Sequence, residues 1–175
     1  MLFLRKPKPE DAESIKALYQ ASTSLHQPWS YPPSNYAGYL ADEYRYFLCL
    51  TERGDIVGTF NISGVVRGYF QSAYLGYEVF MPYQGKGYMT IGIRLLLEEA
   101  FFQLKLHRLE ANIQPENTSS IKLVSKAGFE NEGYSKHYLN IGGFGWKDHQ
   151  RWAIVNHQWS SSESKSDRAI NHHRG

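Results

Sequence analysis

The chain has 175 residues, enough for one domain with a single sizeable core. Hydrophobic residues make up 42% of the sequence and aromatic residues 15%, which excludes a chain that is disordered throughout. The 19 Lys and Arg residues nearly balance the 17 Asp and Glu residues, for a net charge of +2. This balance gives no indication of a basic face for nucleic acid, and we expect no direct nucleic-acid binding.

Cys49 is the single cysteine, so no intrachain disulfide can form. It lies in an apolar run and is predicted to be a small buried hydrophobe. No run of about 18 apolar residues predicts a membrane span, and the apolar stretch after Met1 is too short for a signal peptide. We therefore expect a cytoplasmic protein that does not contact membranes.

The first half of the chain alternates short apolar runs with turn residues. These runs predict strands at residues 2–5, 46–51, 56–66 and 72–80. A helix is predicted to begin at Pro9-Glu10-Asp11, because apolar residues recur after it at helical spacing. A loop rich in Pro, Ser and aromatic residues follows at 24–34, and a second helix is expected around 35–44.

The second half contains the best-defined helix, at about 87–104. Its predicted core-facing stripe consists of Ile91, Leu95, Leu96, Ala100 and Phe102.

Further along the chain we expect a strand at 107–113, a helix at 118–127 that Gly128 ends, and closing strands at 130–139 and 150–159. Residues 160–175 are Ser-rich and charged, without apolar periodicity, and are predicted to be a disordered tail. One α/β domain at 1–159 accounts for the rest.

The segment Gln84-Gly85-Lys86-Gly87-Tyr88-Met89 leads from a predicted strand directly into the helix predicted at about 87–104. The first N–H groups of a helix have no internal partners and carry the positive end of its dipole. Two glycines let the backbone approach a ligand closely, so the N–H groups can surround a pyrophosphate. A plain tight turn would have the same pattern. The dinucleotide fingerprint is excluded because Thr90 stands where its third glycine is required, and the triphosphate loop because Gly87 follows Lys86.

Gln84-x-x-Gly87-x-Met89 resembles the pyrophosphate motif of the GNAT acetyltransferase superfamily, in the form found in its RimJ/RimL group of protein N-terminal acetyltransferases. Three further segments resemble RimJ-type enzymes, in the expected order: 61–68, Tyr74-Leu75-Gly76-Tyr77, and 145–149. The resemblance implies the GNAT fold, an α/β (α+β) architecture. In this fold a mixed, mostly antiparallel sheet, flanked by helices, splays open to hold acetyl-CoA.

The resemblance also implies which residues bind acetyl-CoA. Val79 would lie on the strand that faces the pantetheine, and Gln84, Gly85, Lys86, Gly87, Tyr88 and Met89 would bind the pyrophosphate. Asn117 matches the asparagine of the family's Asn-x-x-Ser segment, and its amide suits the pantetheine amides. It would equally suit the N-cap of the next helix.

For catalysis, Ser120 matches the serine assigned in RimL relatives as the acid that protonates the leaving thiolate. Many other family members use a tyrosine seven residues after the asparagine, where this chain has Val124. The family's base is an acidic residue before a Tyr-Leu pair, and His137 stands in that place. Histidine suits the role because its ordinary pKa is about 6.5. Glu78 and Glu110 are the alternatives, and a dedicated base could be absent.

We expect direct acetyl transfer to a primary amine, and by resemblance to the N-terminal alanine of a ribosomal or other protein. The alternatives are a small amine (aminoglycoside, polyamine or amino acid) and a non-catalytic CoA-binding module. We expect a monomer or a homodimer. No His/Cys cluster has ligand spacing, so no metal is expected.

Overall fold

The computed structural model describes residues 1–161. Most of the predicted tail at 160–175 therefore lies outside the described residues. The described chain still packs at its end, where Trp159 Nε1 donates a hydrogen bond to the carbonyl of Lys105 (2.8 Å). Within residues 1–161 no helix has the length and apolar content needed to cross a membrane.

Seven strands form one sheet in the order β1-β2-β3-β4-β5-β7-β6. The strands are β1 (Leu2–Arg5), β2 (Arg45–Leu50), β3 (Ile56–Val66), β4 (Ser72–Val79), β5 (Arg108–Ile113), β6 (Glu130–Asn140) and β7 (Trp146–Val155). Every neighbouring pair is antiparallel except β4 and β5, which are parallel. This is the mixed, mostly antiparallel sheet expected from the resemblance.

Helices cover both faces of the sheet. They are α1 (Ala12–Ala21), α2 (Thr23–His26), α3 (Tyr36–Ala41), α4 (Tyr88–Glu98) and α5 (Thr118–Ala127). Apolar side chains of α4 and α5 pack into the larger core, on one face, and those of α1 and α3 pack into a smaller core on the other. Cys49 is fully buried in the smaller core, as its apolar surroundings predict.

The sheet opens between its two parallel strands. β4 and β5 pair only from Ser72 to Tyr74, against Arg108 to Glu110. Beyond Tyr74, β4 continues to Val79 beside β3, while β5 continues to Ile113 beside β7. Each strand thus keeps one hydrogen-bonded neighbour and loses the other, which leaves a gap in the middle of the sheet.

The long predicted helix at 87–104 needs two corrections. It is α-helical only to Glu98 and continues as a π-helical segment, Glu99–Gln103. The wider π-helical turn changes which side chains face the core, so Phe102 is 56% exposed rather than buried. Ile91 is also wrongly predicted as core, since it is 50% exposed, whereas Leu96 and Ala100 are fully buried.

The last strand and the second helix also differ from the prediction. The strand runs from Trp146 to Val155 rather than over 150–159, because β7 pairs with β6 from Trp146 onward. The α3 helix is confined to Tyr36–Ala41, where the Asn35 side chain caps it by accepting from the Gly38 N–H (3.1 Å). The strands Leu2–Arg5 and Ile56–Val66 and the helix Thr118–Ala127 have the predicted bounds.

Gly58 allows close contact between α4 and the strands that border the gap. It pairs with Val79 across β3 and β4. A Cβ at this position would lie 2.7 Å from Met89 Sδ and 2.9 Å from the Glu78 carbonyl oxygen. The Met89 side chain, 9% exposed, therefore occupies space that only glycine leaves free.

We expect Gly58→Ala to lower the free energy of unfolding by about 1–3 kcal/mol, because overpacking forces shifts in a closely packed core. The shift must involve backbone as well as Met89, since the Glu78 carbonyl is one of the two obstacles. Chemical denaturation measures the change. Ser63→Ala, at an exposed position of the same strand, is the control, and equal stabilities of the two variants would contradict this packing argument.

Candidate active site

Two adjoining cavities occupy the gap between β4 and β5. The larger, of about 480 Å³, lies on the side of α4 and α5; we call it the helix-face cavity. Besides the residues that it shares with the second cavity, it is lined by Leu25, His26, Val79, Tyr83, Gly85, Gly87, Tyr88, Met89, Thr90, Ser119, Lys122, Leu123 and Lys126.

The second cavity, of about 240 Å³, lies on the α1–α3 face of the sheet; we call it the polar cavity. Residues paired across antiparallel strands point to the same face. Thr59 pairs with both Phe47, in the α1–α3 core, and Glu78. Glu78, and with it Gly76 and Tyr74 two and four positions earlier on β4, therefore point to this face.

Six residues line both cavities: Trp29, Ser30, Tyr77, Glu78, Asn117 and Ser120. They come from the loop after α2, from the free edge of β4 and from the start of α5. A ligand in the helix-face cavity and another in the polar cavity would meet at these side chains. Two reactants entering from opposite faces of the sheet can thus be brought into contact.

The predicted phosphate loop opens the helix-face cavity. Gly85 and Gly87 have φ angles of +73° and +76°, which strain any residue with a Cβ. No atom lies within 4 Å of a Cβ built on either glycine, so the space in front of the loop is open. The side chains of Gln84 and Lys86 are exposed and neither residue lines the cavity, whereas Tyr88 and Met89 both do.

The residues around the helix-face cavity fit the pyrophosphate of acetyl-CoA and the extended pantetheine chain attached to it. The start of α4 provides N–H groups without helical partners, and Lys122 and Lys126 add positive charge from α5. Val79, on the free part of β4, lines the same cavity. When bound, acetyl-CoA would supply the activated acetyl group at the six shared residues.

The start of α5 combines a helix cap with a pair of hydroxyl groups. Asn117 is the N-cap, and its Oδ1 accepts from the Ser120 N–H (3.3 Å). Ser120 Oγ lies 2.5 Å from the Tyr77 hydroxyl oxygen, and burial raises the pKa of Tyr77 to about 12. Tyr77 therefore stays protonated near neutral pH and can donate to Ser120, which leaves the serine proton free for a ligand.

Glu78 is held in place by three side chains from the α1–α2 region. The Tyr19 hydroxyl donates to Oε1 (2.6 Å), and the Ser30 hydroxyl donates to Oε2 (2.7 Å). His26 Nδ1 lies 3.4 Å from Oε2. The Glu78 side chain is only 16% exposed, and that remainder faces the two cavities. Its position is thus fixed, as a catalytic carboxylate requires.

The buried ring of His26 bridges Glu78 to the backbone of the same strand. Its Nε2 lies 2.7 Å from the Val79 carbonyl oxygen. Because a carbonyl can only accept, Nε2 carries the proton. The Nδ1 atom then faces the Glu78 carboxylate, 3.4 Å from Oε2.

The structure does not bring His137 together with Glu78 and Ser120. His137 lies at a register shift between β6 and β7, with a φ of +47°. Its side chain is exposed, and it lines neither cavity. A hydrogen bond from the His137 N–H to Asp148 Oδ1 (2.8 Å) fixes this bulge, at which the His137 side chain lies away from both cavities.

Glu110, the other alternative base, is paired with an arginine away from the gap. Glu110 Oε1 accepts from Arg108 Nη2 (2.7 Å) and Nε (3.2 Å), and the residue lines neither cavity. Of the predicted acid–base residues, Glu78 and Ser120 are the two that meet in the gap.

Sequence reasoning missed several residues of the site. Tyr77 of β4 is one of them, and its hydroxyl lies beside Ser120 Oγ. The helix α5 offers no tyrosine hydroxyl, because the position of the family's tyrosine is occupied by Val124, which is fully buried in the core. His149 is a buried residue of β7 that lines the polar cavity, with Nδ1 2.8 Å from the Lys147 carbonyl. Strand alternation places Tyr77 and Glu78 on opposite faces, and only the gap lets both reach the site.

No group of three or more His, Cys, Asp or Glu side chains in residues 1–161 could hold a metal ion.

Comparison with known proteins gives the family. Residues 1–130 match the model of the GNAT acetyltransferase domain. The chain is 38% identical over 115 residues to the probable N-acetyltransferase YjcK of Bacillus subtilis, covering 66% of this chain and 63% of that protein. It is 40% identical over 106 residues to the ribosomal protein uS5 alanine N-acetyltransferase of Escherichia coli, covering 61% and 54%. The aligned segments thus span less than two thirds of both relatives.

A solved structure and a further sequence relative are also similar to this chain. The structure of Mycobacterium smegmatis RimJ in complex with CoA-disulfide aligns with a TM-score of 0.79 and 26% identity, covering 98% of this chain and 88% of that one. A more distant relative, the spermidine N(1)-acetyltransferase of Escherichia coli, is 34% identical over 77 residues, which cover 44% of this chain and 41% of that protein. The splayed sheet, the loop at the start of α4 and these matches lead to one conclusion: this chain belongs to the GNAT acetyltransferase family.

Proposed function

We propose that this protein transfers the acetyl group of acetyl-CoA to the N-terminal amine of a protein or peptide, with alanine as the expected first residue. The continuity of the two cavities through the gap carries the proposal. It allows acetyl-CoA to enter along the helix face and an amine to approach from the opposite face. The similarity to the uS5 alanine acetyltransferase of Escherichia coli supports an N-terminal alanine as acceptor.

Glu78 acts as the base in this proposal. The acceptor amine attacks the thioester carbonyl, a C–N bond forms, the C–S bond breaks, and one amine proton leaves to Glu78, directly or through a water. An N-terminal amine has a pKa of about 8, so part of it is already neutral near pH 7 and the base has a modest task.

Ser120 acts at the other end of the reaction. Its hydroxyl proton goes to the departing thiolate. The Tyr77 hydroxyl, 2.5 Å from Ser120 Oγ, can donate to the serine oxygen as it loses that proton, and the serine then regains a proton from water. The two hydroxyl groups therefore replace the single tyrosine that many family members carry on α5. No covalent enzyme intermediate is needed, because the amine and the thioester meet directly.

We expect the chain, given acetyl-CoA and a thiol-detecting reagent, to acetylate a peptide that begins with Ala in preference to Ser- and Met-starting peptides, spermidine and an aminoglycoside. The physical reason is that the polar cavity is small and not strongly acidic. Mass spectrometry of the peptide product locates the acetyl group. Turnover on spermidine or the aminoglycoside alone would contradict the proposal, and CoA binding without turnover on any amine would indicate a non-catalytic module.

We expect Glu78→Gln to lower kcat on the Ala-starting peptide by about 10²-fold at pH 7, because a positioned base contributes about 10²–10⁴-fold. The loss should shrink toward pH 9, where the amine is already neutral. His137→Ala is the matched control, and we expect it to keep the wild-type rate across pH 6–9. A full rate for Glu78→Gln together with a loss for His137→Ala would return the role of base to His137.

We expect Asn117→Ser and Asn117→Ala to separate the two roles of the asparagine. Serine can still cap α5, so the free energy of unfolding should be retained in Asn117→Ser and fall by about 0.5–2 kcal/mol in Asn117→Ala. Both variants should bind CoA more weakly, because both lose the amide. Thermal denaturation and calorimetric titration with CoA measure the two effects, and wild-type CoA affinity in Asn117→Ser would limit Asn117 to capping.

A further inference from the structure

His149 of β7 is a buried histidine with a fixed ring orientation. The residue is only 2% exposed, and it lines the polar cavity but not the helix-face cavity. Its Nδ1 lies 2.8 Å from the carbonyl oxygen of Lys147. Because a carbonyl can only accept, Nδ1 carries the proton, and Nε2 of the neutral ring is a bare hydrogen-bond acceptor.

The Nε2 atom of His149 is open to a ligand. It has no hydrogen-bond partner within residues 1–161, where the ring forms a single hydrogen bond, through Nδ1. Four unpartnered side-chain atoms of that part of the chain are fully enclosed, and Nε2 is not among them. It therefore keeps accessible surface. Since the polar cavity is the one of the two cavities that His149 lines, this surface faces the acceptor side of the gap.

The sheet places His149 and Glu78 on one face, at opposite sides of the gap. Tyr74 of β4 pairs with Glu110 of β5, and Glu110 pairs with Ala153 of β7, so these three share a face. Glu78 lies four positions after Tyr74, and His149 lies four positions before Ala153. By alternation both side chains point to that face, one from the β4 side of the gap and the other from the β5–β7 side.

Three other polar side chains of the same cavity already form hydrogen bonds within the protein. The Ser30 hydroxyl donates to Glu78, and the Thr59 hydroxyl accepts from Arg45. Asn117 Oδ1 accepts from the Ser120 N–H. His149 Nε2 differs from these groups because its acceptor site is unused.

An attacking primary amine needs two hydrogen-bond acceptors. Its nitrogen directs the lone pair at the thioester carbon and has two N–H groups left. In the proposed reaction one of these protons leaves to Glu78, and the other stays in the amide product. The N–H that stays loses its water partner on entering the cavity unless a protein acceptor replaces it. An acceptor across the gap from Glu78 would also fix the direction of the lone pair.

We propose that His149 Nε2 accepts a hydrogen bond from the acceptor amine and, together with Glu78, orients its lone pair toward the thioester. The inference rests on the proposed function, since it assumes that the amine enters the polar cavity and that Glu78 takes the proton that leaves. His149 gains no proton in this step. The site thereby favours amines with two N–H groups at the moment of attack, which are primary amines.

Two substitutions of His149 separate this role from a structural one. In His149→Asn the side-chain N–H can still reach the Lys147 carbonyl, but no atom takes the place of Nε2. In His149→Gln the side-chain oxygen can reach the place of Nε2, and the contact with Lys147 is lost. We expect kcat/KM on an Ala-starting peptide to fall about 10-fold in His149→Asn and less in His149→Gln. A purely structural role would give the opposite order.

His157→Asn is the matched control. It makes the same change at an exposed histidine that lines neither cavity, and we expect it to keep the wild-type kcat/KM. Chemical denaturation of each variant measures its folding separately from its rate.

A secondary amine tests the second N–H on the full chain. A peptide that begins with N-methylalanine has one N–H at the moment of attack, and that proton must leave to Glu78. We expect its kcat/KM to lie about 10-fold below that of the Ala-starting peptide in the wild type. His149→Asn should leave the rate on the N-methylated peptide unchanged, because that peptide never made the contact.

Nitrogen-15 NMR of the histidine rings gives a measure of binding that does not depend on turnover. Titration of the CoA-bound chain with the Ala-starting peptide should shift the Nε2 resonance of His149. The Nδ1 resonance should change little, because its partner is a carbonyl within the protein.

The outcomes separate this inference from the proposed function. A larger loss in His149→Gln than in His149→Asn, or an unchanged Nε2 resonance, would overturn the role of His149 while peptide acetylation through Glu78 stands. Equal losses of His149→Asn on the two peptides would do the same. No acetylation of any peptide by the wild type would overturn both proposals. A greater loss in His149→Asn than in His149→Gln, confined to the primary amine, supports the contact.

Discussion

The separation of β4 from β5 is the constraint on which the rest of the structure depends. The two strands are the only parallel neighbours in the described sheet, and they pair over three residues before they diverge. A backbone edge inside a sheet must find other partners or face a ligand. Here the free edge of β4 borders both cavities. The same divergence lets side chains on opposite faces of β4, Tyr77 and Glu78, reach one reaction centre.

The groups around the gap are fixed from different directions. Tyr19, Ser30 and His26 hold the Glu78 carboxylate from the α1–α2 side, and the cap of α5 and Tyr77 hold Ser120 from the other. Such fixed positions reduce the reorganisation needed during the reaction.

The two cavities differ in what they demand of a ligand. The helix-face cavity has open backbone at Gly85 and Gly87 and lysines on α5, which suits an extended phosphorylated cosubstrate. The polar cavity is smaller, and its lining includes Glu78, Arg45 and the amide side chains of Asn112 and Gln114. Opposite charges on its walls favour an acceptor that presents both a cationic amine and hydrogen-bonding oxygen.

Local patterns in the sequence were sufficient for the fold class, most strand and helix bounds and the loop from Gln84 to Met89. These features depend on side-chain periodicity, glycine and capping residues, all of which act over a few neighbouring positions. The positions of His137, Phe102 and the last strand depended on a bulge, a π-helical segment and strand register. The polar cavity was decided by tertiary structure alone, because Arg45 is distant in the chain from Asn112 and Gln114, and the three line one cavity only where two strands and a loop bring them together. The sequence by itself predicted the cofactor end of this protein, because one short segment combines the glycines and the helix start on which that prediction rests. Its acceptor end was decided by how the sheet opens, since no local pattern records which side chains a gap between two strands will bring together.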